Sequence, residues 1–275
     1  MSLPTCRRTP TSKKVVNNIK TATLDTEREY FSSGVQLIAG MDEVGRGSLS
    51  GPVSVGVSLV SASDELLIDG LIDSKALTEK KRTEMVPLIN KWIPTAVGHT
   101  QPEEIDALGM TRSLRLAGQR ALAQVVSAEV MPDLVLLDGK HDWLTASEPD
   151  LLISLDPAEE LYQRLAQEAW GSSSSLVQPW EGLVVTIIQG DYKCASIAAA
   201  SVVAKVERDA LMNQLAQRFP AYGWHKNKGY GSASHRQALD EIGPSTQHRL
   251  SWNLGVSAEQ VKTTYIERAV KNNER

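Results

Sequence analysis

The chain has 275 residues, and 41% of them are hydrophobic, which is enough to fill the core of one large domain or two small ones. No apolar run approaches the ~20 residues that a bilayer span needs, and the first residues lack the apolar stretch of a signal peptide, so we expect neither membrane insertion nor secretion. The two cysteines, Cys6 and Cys194, argue against a disulfide framework or a structural zinc site and fit a reducing cytoplasm.

The net charge of −4 argues against a nucleic-acid binder that relies on a bulk positive field. The acidity is concentrated between residues 141 and 182, where eight carboxylates and one arginine give a local charge of −7 and leave +3 for the remainder. We interpret this acidic segment as an insertion or an elaborated connection that need not touch a substrate. Residues 1–33 carry five basic side chains before the first acid, Asp25, and show little apolar periodicity, which predicts a basic, disordered tail.

A β-hairpin is predicted around residues 35–60. Hydrophobic residues alternate with serine and glycine over 53–60, the period of two that is typical of a strand with one buried face. The preceding apolar run, 35–41, is expected to pair with it antiparallel. Two adjacent carboxylates, Asp42 and Glu43, follow that run. Because successive side chains of a regular strand point to opposite faces, we expect the strand to end at these two residues.

The loop of this hairpin has a composition that suits phosphate. Gly45 and Gly47 can take positive φ and bring backbone N–H groups close to an anion, and Arg46 offers a cation. The adjacent carboxylates could bind a metal ion. Adjacent acids at a strand end are also common solvated turn formers, so the residues alone leave both interpretations open.

Two further carboxylates follow predicted buried strands. Asp138 closes the apolar run 134–137, and Asp191 comes after the β-branched run 183–188. Ligands of open α/β sheets lie at the carboxyl ends of strands, although an Asp-Gly turn is the simpler account of Asp138 on its own. The other predicted elements are a helix over 79–93 capped by Thr78 or Ser74, a strand over 95–100, a short helix starting near Pro102, a longer helix over 114–126, an alanine-rich helix over 194–219 and a short helix over 257–275.

Aromatic and basic residues interleave between 219 and 252, a pattern that suits base or sugar stacking beside phosphate contacts and equally suits an ordinary helical subdomain. Three histidines of this region lack metal-ligand spacing and are interpreted as structural. On the preceding helix, Asp209 lies four residues after Lys205, which predicts an ion pair rather than a metal ligand. The three histidines are His225, His235 and His248.

Six ordered motifs lie between residues 36 and 252. They are Asp-Glu-Val-Gly-Arg-Gly-Ser-Leu-Ser-Gly-Pro at 42–52, Asp-Ser-Lys-Ala-Leu at 73–77, Asp-Gly-Lys at 138–140, Gly-Asp followed by Ala-Ala-Ser and Ala-Lys-Val-x-Arg-Asp at 190–209, Lys-Gly-Tyr at 228–230 and Thr-Gln-His-Arg-Leu-Ser-Trp at 246–252. Together they resemble the signature of the ribonuclease HII family. The resemblance implies an α/β, ribonuclease H-like fold, with a mixed five-stranded sheet flanked by helices and a C-terminal helical region. It assigns 34–252 to the catalytic domain and 253–275 to a C-terminal helix and frayed tail.

The resemblance also implies roles for individual residues. Four carboxylates bind the catalytic metal, the Gly-Arg-Gly loop reads a ribonucleotide's 2′-hydroxyl, and the tyrosine of Lys-Gly-Tyr packs on the deoxyribose that follows. The lysine of Asp-Ser-Lys would lie near the substrate backbone, although a solvated surface charge is an equal account. Hard oxygen ligands without histidine or cysteine favour Mg²⁺ or Mn²⁺ over zinc. The implied catalytic and metal-binding residues are Asp42, Glu43, Asp138 and Asp191, and the implied nucleic-acid-binding residues are Gly45, Arg46, Gly47, Lys75, Lys228 and Tyr230.

The implied activity is metal-dependent endonucleolytic hydrolysis on the 5′ side of a ribonucleotide, in RNA–DNA hybrids and at single ribonucleotides embedded in duplex DNA. Two-metal hydrolysis would leave 5′-phosphate and 3′-hydroxyl ends. The implied role is ribonucleotide removal in DNA replication and repair by a cytoplasmic monomer. Three alternatives stay open: another nuclease of this fold without a 2′-hydroxyl requirement, a ribonuclease HIII, and a non-catalytic nucleic-acid-binding protein. A ribonuclease HIII would carry a folded N-terminal domain, which the 33 polar residues at the start of this chain cannot form.

Overall fold

The computed structural model of the protein describes residues 21–126, 130–146, 156–171 and 178–273. The strands are β1 (Leu37–Val44), β2 (Val53–Ser61), β3 (Thr95–Thr100), β4 (Leu134–Asp138) and β5 (Leu183–Ile187). The helices are α1 (Asp25–Ser32), α2 (Glu79–Trp92), α3 (Pro102–Val125), α4 (Pro157–Ala169), α5 (Gly190–Lys193), α6 (Ala195–Arg218), α7 (Trp224–Asn227), α8 (Ala233–Ile242) and α9 (Ala258–Asn273).

The strands form one five-stranded sheet in the order β3-β2-β1-β4-β5. β1, β2 and β3 pair antiparallel, whereas β4 is parallel to both β1 and β5. α3 packs on one face of the sheet and α6 on the other, and an apolar cluster fills each interface. The mixed five-stranded sheet flanked by helices is therefore confirmed.

Predicted helix starts agree with the capping chemistry. The Thr78 side chain accepts a hydrogen bond from Lys81 N at 3.3 Å and caps α2, so Thr78 rather than Ser74 is the cap. α3 begins at Pro102, whose missing N–H costs nothing in the first turn. α3 contains both helices predicted in this stretch, the short one that starts near Pro102 and the longer one over 114–126, which join across Gly109 with φ of 73°.

Both faces of β2 are buried, which differs from the half-exposed strand that the alternation predicts. The valine face, including Val55, lies in the core against α3. On the serine and glycine face, Ser58 Oγ donates to Ser196 O at 2.7 Å, and a Cβ on Gly56 would lie 2.2 Å from Ala200 O. Small residues here permit close approach of α6 and do not mark a solvent face.

β1 continues through the acidic pair, so the prediction that it ends there is wrong. Asp42 pairs with Gly56, Glu43 pairs with Val55, and the strand ends at Val44. β2 offers backbone partners along this whole length, so the ladder has no reason to stop. Strand alternation then separates the two carboxylates, leaving Asp42 5% exposed and the Glu43 side chain 19% exposed.

Residues 21–33 are part of the folded domain, which corrects the tail prediction for these residues. Ala22 and Leu24 are buried at 1% and 2% exposure, and the Glu27 side chain is fully buried. A single short helix with few apolar anchors has too little periodicity to be recognised in the sequence. Residues 1–20 of the predicted tail lie outside the described residues.

The acidic segment is the connection between the parallel strands β4 and β5. It contains α4, which starts at the cap residue Asp156 and buries Tyr162 against α3. Arg112 of α3 pairs with Asp156 at 2.6 Å and with Glu159 at 2.8 Å, so part of the local negative charge is offset within the domain. The serine run, 172–177, lies outside the described residues.

The C-terminal helices form a separate apolar cluster around Trp224 at the end of α6. α9 is tied to α3 by an ion pair of Arg268 Nη1 with Asp106 Oδ2 at 2.7 Å, and both side chains are buried. α9 spans 16 residues, so the helix predicted here is longer than expected. In the described ranges, no helix has the length and apolar character to cross a membrane.

Candidate active site

Three of the predicted carboxylates meet at one end of the central strands. Asp42 and Asp138 follow Met41 and Leu137, the last residue pair in the register between β1 and β4, so they lie at the same level on neighbouring parallel strands. Asp191 lies on α5 just beyond β5, and the preceding Gly190 N donates to Asp138 Oδ1 at 2.7 Å. Glu43 adds its charge to that of Asp42 from the opposite strand face.

The carboxylates in this cluster oppose one another's ionisation. Burial, and then the charges of Glu43 and Asp138, raise the pKa of Asp42 well above its usual range. Burial, and then the charges of Asp138 and Asp73, raise the pKa of Asp191 to about 7. Both effects disfavour the ionised carboxylates. The neighbouring positive charge, such as that of Lys75, is therefore too small to offset burial and the repulsion between the carboxylates.

Asp73 is an acidic neighbour that the sequence reasoning missed. It is 3% exposed and accepts a hydrogen bond from Lys75 N at 2.9 Å, and its carboxylate contributes to the raised pKa of Asp191 and of the Tyr192 hydroxyl. Burial alone would lower the pKa of the Lys75 ammonium, but the carboxylates of Asp42 and Asp73 outweigh it and raise that pKa. Lys75 therefore faces the acidic centre and is not an isolated surface charge. The only signal for Asp73 was its place in the Asp-Ser-Lys motif.

The donor chemistry of this centre fits a hard divalent cation. Mg²⁺ and Mn²⁺ prefer carboxylate oxygens, and a bound cation would relieve the repulsion that raises the pKa of Asp42 and Asp191. Across the described ranges, no three histidine, cysteine, aspartate or glutamate side chains already stand at metal-binding distances. The carboxylates therefore adjoin one another without a preformed coordination shell.

The raised pKa of Asp191 predicts a pH-dependent cost to stability in the absence of divalent cations. Its folded pKa of about 7 exceeds the usual 3.8, so the folded chain binds more protons than the unfolded chain between these values, and stability falls as the pH rises through this window. In chelator at pH 8, Asp191→Asn should therefore unfold at a higher urea concentration than wild type, with a free energy of unfolding larger by roughly 2 kcal/mol. Below about pH 4 the two proteins should be equally stable. Equal stability of the two proteins at pH 8 would contradict this electrostatic account, and Asp240→Asn on the exposed side of α8 is the control.

Two buried arginines fix the loop between β1 and β2. Arg208 of α6 is fully buried and donates from Nε to Pro52 O at 2.9 Å. Arg249 donates from Nη2 to Gly45 O at 2.7 Å and from Nη1 to Arg46 O at 2.8 Å. Burial, and then the Arg208 charge, lower the pKa of Arg249 to about 9, which still leaves a cation at neutral pH. Both arginines thus hold loop carbonyl oxygens inward.

The conformation of Gly45 permits no side chain. Its φ is +83°, and a Cβ there would lie 2.0 Å from Arg208 Nε. Gly47 has no positive φ, and a Cβ there would meet no heavy atom within 4 Å. Of the two glycines that could take positive φ, Gly45 does so and Gly47 does not.

This difference predicts opposite outcomes for two matched substitutions. Gly45→Ala combines an unfavourable φ with a clash against a buried arginine, so we expect a loss of about 1–3 kcal/mol in the free energy of unfolding. Gly47→Ala should change it by less than about 0.5 kcal/mol. Urea denaturation of both variants measures the difference, and equal losses would contradict the assigned loop geometry.

The other predicted nucleic-acid contacts lie around this loop. Arg46 Nη1 is 3.3 Å from Glu43 Oε1 and its side chain is half exposed. The Tyr230 side chain is 39% exposed, with the Arg208 guanidinium carbon 5.7 Å from its ring centre. Lys228 is engaged within the chain, because its ammonium donates to Asn213 Oδ1 and to a backbone carbonyl. Of these residues, Arg46 and Tyr230 present the more accessible groups.

His235 and His248 are structural, as interpreted from the sequence, and they support the Tyr230 backbone. His248 Nδ1 accepts from Ser245 N at 2.9 Å, so its Nε2–H faces His235 Nε2 at 3.0 Å. His235 Nδ1 then donates to Tyr230 O at 2.9 Å. Burial, and then His235, lower the pKa of His248 to about 3, which keeps this imidazole neutral. His225, on α7, is exposed.

Arg208 and Arg249 are structural residues that the sequence reasoning missed. Both lie inside motifs quoted from the sequence, but no structural role was predicted for either, and only their place in those motifs could have pointed to one. Asp209, by contrast, pairs with Lys205 Nζ at 2.7 Å, so the predicted ion pair is confirmed.

A family model described as ribonuclease HII matches residues 39–154 and 171–254. A ribonuclease HII of Streptomyces avermitilis is 43% identical over 222 residues, which cover 80% of this chain and 78% of the relative.

Two solved structures have a similar fold. The ribonuclease HII in a PCNA complex from Archaeoglobus fulgidus is 26% identical with a TM-score of 0.54, and the match covers 81% of this chain and 98% of that one. Bst-RNase HIII in complex with Mn²⁺ is 18% identical with a TM-score of 0.57, covering 83% and 70%, which indicates a shared fold alone. The family match and the identity to curated relatives favour HII over the HIII alternative. The chain therefore belongs to the ribonuclease HII family, and it is a ribonuclease H, a nuclease that hydrolyses phosphodiester bonds.

Proposed function

We propose that this enzyme uses divalent metal to hydrolyse the phosphodiester on the 5′ side of a ribonucleotide, both in RNA–DNA hybrids and at single ribonucleotides in duplex DNA. The observation that carries this proposal is the meeting of Asp42, Asp138 and Asp191 beside a loop whose carbonyls are fixed by buried arginines. At one end of the sheet, carboxylates suited to binding a cation thus lie next to a loop whose backbone is suited to binding a sugar-phosphate.

The proposed metal ligands are Asp42, Glu43, Asp138 and Asp191, with Mg²⁺ or Mn²⁺ as the ion. A bound divalent pair would lower the pKa of the attacking water and stabilise charge on the leaving 3′-oxygen, giving 5′-phosphate and 3′-hydroxyl ends. Asp138 is oriented by Gly190 N, and Asp191 is close enough to Asp73 for the Asp73 charge to raise its pKa. The Lys75 ammonium faces the same carboxylates and would draw a phosphate toward them.

The proposed recognition element is the loop of Gly45, Arg46 and Gly47. Because Arg249 holds the carbonyl oxygens of Gly45 and Arg46, the carbonyl edge of the loop faces the protein. The opposite edge, with its N–H groups, is then available to a 2′-hydroxyl, the group by which a protein tells RNA from DNA. The half-exposed Arg46 side chain would meet an adjacent phosphate.

Tyr230 is proposed to recognise the deoxyribose of the nucleotide on the 3′ side of the ribonucleotide. Its ring is partly exposed, and its backbone carbonyl is held by His235. A partly exposed ring on a backbone held in this way can stack on a deoxyribose and would be crowded by a second 2′-hydroxyl. Lys228 would contribute less, because its ammonium already has partners within the chain.

The proposed cellular role is ribonucleotide removal in DNA replication and repair. The complex of the Archaeoglobus relative with PCNA supports a link to replication. We propose a cytoplasmic monomer, since Cys194 is a buried free thiol and the mechanism uses residues of one chain. The catalytic domain would run from residue 21, not 34, to 252, followed by the C-terminal helix.

The proposal is tested with end-labelled duplexes that carry one ribonucleotide, an RNA–DNA hybrid, or DNA alone, in Mg²⁺, in Mn²⁺ and in chelator. Incision 5′ to the ribonucleotide in metal, with a product that ligates directly to a 5′-phosphate acceptor strand, is the expected result. Equal cleavage of the all-DNA duplex would replace the proposal with a nuclease that lacks 2′-hydroxyl selectivity. Binding without cleavage in any metal would leave the non-catalytic alternative.

A further inference from the structure

The segment before β1 forms backbone hydrogen bonds to residues that lie close in sequence to Asp191 and to Asp73 of the acidic centre. Thr23 N donates to Lys193 O at 3.1 Å, and Ala195 N donates to Thr23 O at 2.8 Å, on either side of the junction between α5 and α6. Ala22 N donates to Leu71 O at 2.9 Å, two residues before Asp73. This segment lies outside the family match, which begins at residue 39.

Glu27 of α1 completes this attachment with a fully buried carboxylate. Its Oε1 accepts from Ser196 N at 2.9 Å and from Ser196 Oγ at 2.7 Å. Ser196 is the second residue of α6, where backbone N–H groups have no partner within the helix. A side chain of another helix thus caps α6. The negative charge of the Glu27 carboxylate interacts favourably with the positive, N-terminal end of the α6 dipole.

Burial of the Glu27 carboxylate is energetically unfavourable unless its hydrogen bonds to the start of α6 offset the loss of hydration. The second oxygen, Oε2, is buried with no hydrogen-bond partner, and no ion pair of Glu27 occurs among the described residues. A buried carboxylate without a cation is unfavourable by itself. The two hydrogen bonds to Ser196 are therefore the interactions that hold it in this place.

The start of α6 cannot shift without moving the acidic residues. Ser196 O accepts from Ser58 Oγ at 2.7 Å, and a Cβ on Gly40 of β1 would lie 2.4 Å from the Ser196 carbonyl carbon. On the other side, Cys194 N donates to Gly190 O at 2.7 Å and closes the turn that bears Asp191. Rigid contacts therefore connect Ser196 to the strand of one carboxylate and to the turn of another.

We propose that Glu27 is a positioning residue for Asp191, acting through the capped start of α6 to set this carboxylate for metal binding. The inference rests on the proposed function, in which Asp191 is a metal ligand. Residues that orient a metal ligand without touching the metal typically contribute 10–100-fold to affinity or activity. α1 would then be a part of the active-site architecture in this chain, not an attached tail.

The test uses the full chain with Glu27→Ala, Glu27→Gln and, as a control on the exposed side of the same helix, Glu29→Ala. Mn²⁺ affinity is measured by calorimetry without substrate, and kcat and KM are measured on a duplex with one ribonucleotide. Glu27→Ala should weaken Mn²⁺ binding and lower kcat by about 10–100-fold with KM for the duplex unchanged. Glu27→Gln keeps an acceptor oxygen for Ser196 and should stay within about threefold of wild type, as should Glu29→Ala.

A lower melting temperature of Glu27→Ala with unchanged Mn²⁺ affinity and kcat would overturn the inference, because Glu27 would then only stabilise the fold. If Glu27→Ala does not fold, Ser196→Ala removes one of the two hydrogen bonds and carries the test. A smaller fall in Mn²⁺ affinity and kcat is expected for it, and no change in either would overturn the inference. Failure of the proposed function is distinguishable, since wild type itself would then show no metal-dependent incision.

Discussion

Asp138→Asn should lower the cleavage rate at a single embedded ribonucleotide by about 10³-fold or more. Asp138 is a proposed metal ligand, and the bound metal would stabilise the charge of the transition state by several kcal/mol. The substituted asparagine keeps the shape of the side chain and one acceptor oxygen for Gly190 N, so the fold should persist. Single-turnover rates at saturating enzyme, in Mg²⁺ and in Mn²⁺, measure the effect on the chemical step.

The matched control is Asp240→Asn, which removes the same charge from the exposed side of α8. It should cleave at the wild-type rate. Retention of wild-type activity by Asp138→Asn would remove this carboxylate from the catalytic set, and loss of activity in both variants would indicate a general electrostatic effect.

Arg268→Met should lower the free energy of unfolding by about 3–5 kcal/mol, because it strands the buried Asp106 carboxylate without its cation. Asp106 would still accept from Leu250 N at 3.0 Å and Ser251 N at 2.9 Å. The guanidinium also donates to Thr246 O at 3.0 Å, so its loss loosens the segment that carries Arg249. Urea denaturation followed by tryptophan fluorescence measures the stability.

Two further variants separate the charge effect from packing. Lys262→Met removes an exposed cation from the same helix and should change stability by less than about 0.5 kcal/mol. Adding Asp106→Asn to Arg268→Met removes the stranded charge and should recover part of the loss. An equal or greater loss in the double variant would contradict the buried-charge explanation.

The strands could be predicted because their signals are local, whereas the four acidic positions were singled out by the resemblance to ribonuclease HII. Alternation predicts the β1–β2 hairpin, and short apolar runs predict β4 and β5, which Asp138 closes and Asp191 follows. Periodicity cannot tell a solvent face from a face packed on a helix, which is why the serine and glycine side of β2 was misassigned. The end of β1 was misplaced because ladder pairing depends on residues of β2.

The supporting residues could not be predicted because their roles depend on contacts distant in sequence. Glu27 binds a helix start 169 residues away, and Arg249 binds the loop at Gly45, 204 residues away. Sequence reasoning expects glutamate and arginine at the surface, since few are fully buried. Asp73 was missed for a related reason, because its contact with Asp191 exists only when two loops meet.

The most direct test of the account compares two duplexes that differ in one 2′-hydroxyl, cleaved by wild type and by Gly45→Ala under single-turnover conditions in Mg²⁺. We expect wild type to incise the ribonucleotide duplex at least about 10³-fold faster than the all-deoxy duplex, because a site built to bond a hydroxyl strongly rejects the analogue that lacks it. Gly45→Ala should lose most of this preference, since the substitution displaces the loop that we propose to read the hydroxyl. Equal rates on the two duplexes with wild type would contradict recognition of the ribonucleotide by this loop.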